Sequence, residues 1–253
     1  MEAKELLQAL FRWIHIVAGI FWIGHLYYFN FVNGPFEGTL DGEGKKKVVP
    51  QLRPRALYWF RWGAAWTWIT GVLLVLLVFY HGRIAFAGDG DWTALRALMV
   101  AVTFLAFVVY DPLANMEFAK NNKQMAAVSF VLVILVVLGY QIAGFTYRGY
   151  VIHLGALFGT LMAANVWMRI WPAQQKIITA IRDGQAPDAA LVARAGQRSR
   201  HNTYMSVPLV WMMINQHTTV PFASTFLWLV FVVGVAWGAT MLLYKKAAAV
   251  KGF

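Results

Sequence analysis

Seven long apolar stretches decide most of what this chain can become: residues 10–32, 57–80, 94–110, 125–144, 150–171, 204–219 and 222–244. A helix needs about 20 residues, at 1.5 Å each, to cross the hydrocarbon core of a bilayer. Backbone polar groups cannot stay unpaired in lipid, so stretches of this length read as helices. The third and sixth are short, and Pro208 and Pro221 interrupt the sixth, where a kinked or re-entrant segment is an option. The expected fold is an all-α integral membrane bundle of about seven transmembrane helices, one polytopic domain over 1–253. Composition agrees. Only 13% of the 253 residues are charged and 60% are hydrophobic, whereas a soluble domain carries about 25% charge.

The basic residues orient the bundle. The segments after spans one, three and five, with the C-terminal tail, hold 17 of the 22 Lys and Arg; Lys4, Arg12, Arg83, Arg96 and Arg148 are the other five. By the positive-inside rule the N-terminus lies outside and the C-terminus in the cytoplasm, as for a bacterial-type inner membrane protein. The net charge of +11 is then a topology signal, and no nucleic-acid partner is expected. The first apolar run is too long for a signal-peptide core and no small-residue cleavage site follows it, so it reads as a retained helix. Segment 33–56 reads as a Gly- and Lys-rich loop, and 187–197 as a short amphipathic surface helix within the second long loop. Trp59, Trp62 and Trp66 recur at helical spacing, and Gly155, Gly159 and Ala163 form a small-residue ridge suited to close helix contact.

The chain contains no cysteine. Disulfides, thiolate zinc sites, iron–sulfur clusters and covalent haem c are excluded, and a metal would need nitrogen, oxygen or methionine ligands. Histidines inside a bilayer are rare and usually functional. His15, His81, His153 and His217 fall toward the outer side on four different spans, His25 and His201 toward the inner side. Imidazoles from facing helices suit the axial positions of a b-type haem. Gly19 lies one turn below His15 and Trp22 follows on the same face, a notch for a flat macrocycle. One haem is expected, on His15 and His153, with His217 as the alternative ligand. A three-histidine zinc or copper site is the rival use of the same side chains.

Residues 12–36 (RWIHIVAGIFWIGHLYYFNFVNGPF) and 199–217 (SRHNTYMSVPLVWMMINQH) resemble the N-terminal membrane domain of the membrane-bound urate oxidase (urate hydroxylase) family over most of the chain. The first motif is also similar, more distantly, to small haem-binding bacterial protoporphyrinogen oxidases, in which a first-helix histidine is followed seven residues later by tryptophan; His15 and Trp22 match. The resemblance implies a redox role with electrons leaving to a cytochrome c. Family members carry a further helix and a C-terminal cytochrome c domain, and this sequence has no CxxCH, so the acceptor would be a separate cytochrome c or another subunit of a larger respiratory complex.

Three functions follow as alternatives. The first is a haem b electron-transfer subunit working with a cytochrome c or quinone partner. The second is a urate-hydroxylase-type oxidoreductase whose anion contacts are Arg200, His201 and Asn202, with Arg53, Arg55 and Arg198 as further candidates, since guanidinium forks suit a planar anion. The third is a non-catalytic scaffold or transporter, weakened by the lack of an acidic mid-span residue; Asn165 and Gln141 are the main other mid-span polar groups.

Overall fold

The computed structural model describes residues 2–88, 90–215 and 222–250. Helix α1 (Glu2–Tyr27) continues through a π-helical stretch, Tyr28–Asn33, into α2 (Gly34–Thr39). Helix α3 (Gly42–Leu74) is prolonged by a second π-helical stretch, Val75–Tyr80. Helices α4 (Ala94–Leu105) and α5 (Phe107–Leu113) form a pair bent by 51°. Helix α6 spans Asn122–Ile142. Helix α7 (Tyr147–Asn165) runs through a third π-helical stretch, Val166–Ile170, into α8 (Trp171–Arg182). Helices α9 (Ala189–Asn215) and α10 (Phe226–Ala249) complete the chain.

Five helical runs are long and apolar enough to cross a membrane: Ala3–Thr39, Gly42–Tyr80, Asn122–Ile142, Tyr147–Arg182 and Phe226–Ala249; the bent α4–α5 pair makes a sixth. The stretch 204–219 expected as a span falls in the second half of α9 as far as Asn215, and its remainder lies outside the described residues. Arg194, Arg198 and Arg200 share that helix, which keeps α9 out of the apolar set. Segment 33–56, expected as a loop, is instead almost wholly helical. Asp41 Oδ1 accepts a hydrogen bond from Gly44 N at 2.7 Å, capping α3. Val49, Leu57 and Phe60 then fall at helical spacing and are buried, so the periodicity of the apolar residues outweighs the glycines and prolines. Segment 187–197 is helical as expected, but is the start of α9; Leu191 and Ala195 pack with Ala173, Ile177 and Ile181 of α8.

The core gathers on α7. In the most apolar window of Tyr147–Arg182, 72% of residues are buried, against 11% to 33% for the other four runs, so this helix is surrounded by protein and the others face lipid. The small-residue ridge lies against α9. A Cβ on Gly155 would come 2.7 Å from Met213 Cε and 3.4 Å from Met212 Cβ, and one on Gly159 would touch Leu209. Helices α1 and α3 approach more closely still. A Cβ on Gly63 would meet Trp22 N at 2.9 Å and Ala18 O at 3.0 Å, which is how backbones associate where lipid supplies no hydrophobic drive. Trp59 and Trp66 are about half exposed, on the surface left to lipid.

Candidate functional site

The second quoted motif places Arg200, His201 and Asn202 within about one turn of α9, just after Arg198, where that helix crosses α5 and α7. A chain of hydrogen bonds links Asn202 to His201. Asn202 Nδ2 donates to Met162 O at 3.0 Å. Asn165 Nδ2 donates both to Asn202 Oδ1 at 2.9 Å and to the Tyr110 hydroxyl oxygen at 3.0 Å. The Tyr110 hydroxyl also lies 2.8 Å from His201 Nδ1, and which of the two donates follows the imidazole tautomer. Asn165 and Asn202 are fully buried, so the network is assembled inside the bundle.

Beside it, Arg198 is enclosed. Its Nη2 lies 2.9 Å from Asp111 Oδ1 and 3.1 Å from both Asp111 O and Asn115 Oδ1, and the guanidinium stands over the Tyr110 ring. Arg169 holds the other Asp111 oxygen at 2.5 Å. Arg53 is likewise committed, to Glu37 and to Gln174 Oε1, and Arg55 to Gln51. Of the six residues proposed as anion contacts, Arg200 and His201 are the two that line a cavity; Asn202 stands behind them.

That cavity measures about 700 Å³, within the range of ordinary small-molecule sites. Its walls come from α4, α5, α6, α7, α9 and α10. Leu98, Val102, Val133, Leu157 and Trp237 give it a long apolar interior in which Ser129 is the polar exception, and Tyr110, Asn122, Lys123, Arg200, His201 and Tyr204 furnish a polar end. Among the described residues no Asp or Glu lines it. The sequence reading missed Tyr110, Asp111 and Lys123. Asp111, an acid closing an apolar stretch, was the available signal for the first two.

His15 and His153 do not meet. His15 Nδ1 lies 3.2 Å from Thr70 Oγ1 on α3, and a Cβ on the next residue, Gly71, would touch its ring. His153 is fully buried, with Nδ1 on Gly149 O and Nε2 on the Tyr80 hydroxyl, both at 2.6 Å. Thr70 and Tyr80 are ten residues apart along one helical run, roughly 15 Å at helical rise, so the two rings sit at different depths. The notch beside His15 is filled as well. Gly19 faces Thr67, and Trp22, 1% exposed, lies in the α1–α3 seam. In this packing His15, Gly19, Trp22 and His153 do not fit a haem. His25 Nδ1 donates to Phe21 O of its own helix at 2.7 Å. His217 lies outside the described residues. Among the described residues no group of three or more His, Asp or Glu could hold a metal ion.

The stretch holding Arg198, Arg200, His201, Asn202 and the cavity walls is also where the sequence compares with known proteins. The urate oxidase N-terminal family model matches residues 37–249. The chain belongs to the urate oxidase N-terminal family. Within this member the 199–217 motif lies inside the matched segment, whereas 12–36 precedes it. Comparison with curated proteins and with solved structures gives no significant match. Family membership fits a membrane redox role, and the site that this urate oxidase N-terminal domain offers is the donor-lined end of its cavity.

Proposed function

We propose that the chain is the membrane subunit of a redox system, exchanging electrons at the cavity headed by Arg200 and His201 with a separate cytochrome c or other redox subunit as partner. The observation that carries this reading is the hydrogen-bond chain from Met162 O through Asn202, Asn165 and Tyr110 to His201. A buried chain of this kind orients its terminal imidazole, which serves proton movement coupled to electron transfer. With 204–219 as a further crossing the bundle has seven spans. The 17-to-5 division of basic residues then puts the N-terminus outside and the cavity's polar end in the cytoplasmic half of a bacterial-type inner membrane.

Two forms of the role differ in what enters the cavity. In one, a urate-like anion is oxidised against Arg200 and His201; in the other, the chain relays electrons from a membrane reductant. Membranes containing the chain, supplied with cytochrome c and with either urate or the endogenous reductant pool, separate them. The expected result is cytochrome c turnover that requires the chain and falls at least tenfold in His201→Ala. Turnover with urate alone selects the first form. No chain-dependent turnover with either overturns the role.

Haem b is the alternative carrier, and would supply one-electron chemistry. A Soret band lost in His15→Ala and kept in His25→Ala would establish it. The packing of α1 on α3 leads us to expect protein purified without that band.

A further inference from the structure

From the donor and acceptor inventory of the cavity we infer that its occupant is an isoprenoid quinone drawn from the bilayer, with its ring at the Arg200–His201 end and its chain along the apolar interior; this rests on the redox role proposed above and names the ligand of that site. The polar end presents donors. His201 has Nδ1 paired with the Tyr110 hydroxyl and leaves Nε2 to meet a ligand, as a donor in the tautomer that accepts from Tyr110. Arg200 and Lys123 have only N–H groups to offer, and Asn122 and Tyr204 each add at least one donor. Among the described residues no carboxylate lines the space. A purine brings ring N–H groups as well as carbonyl oxygens, and its N–H groups would have to share the few amide and hydroxyl oxygens of Asn122 and Tyr204. A quinone ring brings acceptors alone.

The donors also stand on two walls, Arg200, His201 and Tyr204 on α9 and Asn122 and Lys123 in the first turn of α6. Carbonyl oxygens on opposite edges of one ring meet that arrangement, and a compact headgroup phosphate does not need it. The interior is lined by Val102, Val133 and Leu157, and its rim includes Leu98, Leu105 and Leu132, which are exposed on the lipid-facing surface. A hydrophobic chain can therefore thread in from the membrane. In the relay form of the proposed role the occupant enters as quinol, passes one electron to each of two oxidised cytochrome c molecules, releases two protons, one from each hydroxyl oxygen, to water through the polar end, and leaves as quinone.

Binding is read directly, without turnover. Purified protein in detergent, stripped of quinone, is titrated calorimetrically with decylubiquinone, with urate and with dioleoylphosphatidylglycerol. We expect saturable decylubiquinone binding, weakened about tenfold by His201→Ala, the loss of one good hydrogen bond. Ala101→Phe, which narrows the apolar interior and leaves the donors in place, should weaken it as well, so that a misfolded His201 variant does not leave the matter open. Binding of urate in preference to decylubiquinone, equal displacement by the phospholipid, or indifference to both substitutions overturns the inference. Cytochrome c turnover without quinone binding would leave the redox role standing and remove the quinone. Quinone binding without turnover would do the reverse.

Discussion

Arg198 and Arg200 stand two residues apart on α9 and have different fates. Arg198 is fully enclosed on Asp111 and Asn115, whereas Arg200 is an exposed residue at the cavity's polar end, 5.8 Å from the centroid of the Tyr244 ring. Taking away one partner of a buried ion pair strands the other charge and costs about 3–5 kcal/mol. Asp111→Ala should therefore lower the thermal stability of the detergent-solubilised protein sharply. Arg200→Ala, an exposed change, should stay within about 0.5 kcal/mol of the parent while reducing cavity function. Equal stability losses in the two variants would refute the division. At this scale the sequence was partly legible. Arg200, His201 and Asn202 were readable as a group because the motif sets them side by side. Which arginines are already committed was not readable, since Glu37, Asp111 and Gln174 reach them from other helices. His15 and His153 were read at one depth because depth was counted along single spans, whereas their partners Thr70 and Tyr80 stand ten residues apart on one helical run. The partner of His153, Tyr80, ends a π-helical stretch, where residue count no longer gives position around the axis.

Between elements, the α1–α3 seam has the tightest tolerance. Gly63 has no room for a side chain between Trp22 N and Ala18 O, so Gly63→Leu must push the two helices apart. We expect the purified variant to melt several degrees lower and its Trp22 environment, read by fluorescence, to become more polar or mobile. An unchanged melting point would mean the helices are not packed at this register. The ridge Gly155, Gly159 and Ala163 was visible in the sequence because small-xxx-small spacing has one physical use in lipid. Gly63 was not, for its neighbours on α3 are tryptophans whose lipid-facing side dominates the pattern. Segment 33–56 was misread for a related reason: Pro50, Pro54 and its glycines argue for a loop locally, and the burial of Val49 and Leu57 decides otherwise.

For the whole molecule, the apolar stretches made the all-helical membrane fold legible at once, because bilayer thickness sets their length. The status of 204–219 was less so, since its helix begins as a basic amphipathic segment. A topology with the N-terminus outside predicts that a cysteine at Gly42, in this cysteine-free chain, is labelled by an impermeant thiol reagent only from the cytoplasmic side. Labelling from outside would invert the bundle and move the cavity's polar end to the other leaflet. The three π-helical stretches, Tyr28–Asn33, Val75–Tyr80 and Val166–Ile170, bear on how such a bundle can change. Each wide turn holds one residue more than an α-turn, and one residue corresponds to about 100° of rotation. They are three joints at which a single insertion or deletion is absorbed by rewinding. Deleting one residue within 166–170 would turn the wide turn into an α-turn, so that Ala173 and Ile177 still face α9 and the half of α7 that carries Asn165 keeps its phase. At these three places the length of a long helix can change by one codon with the packing on either side left in register.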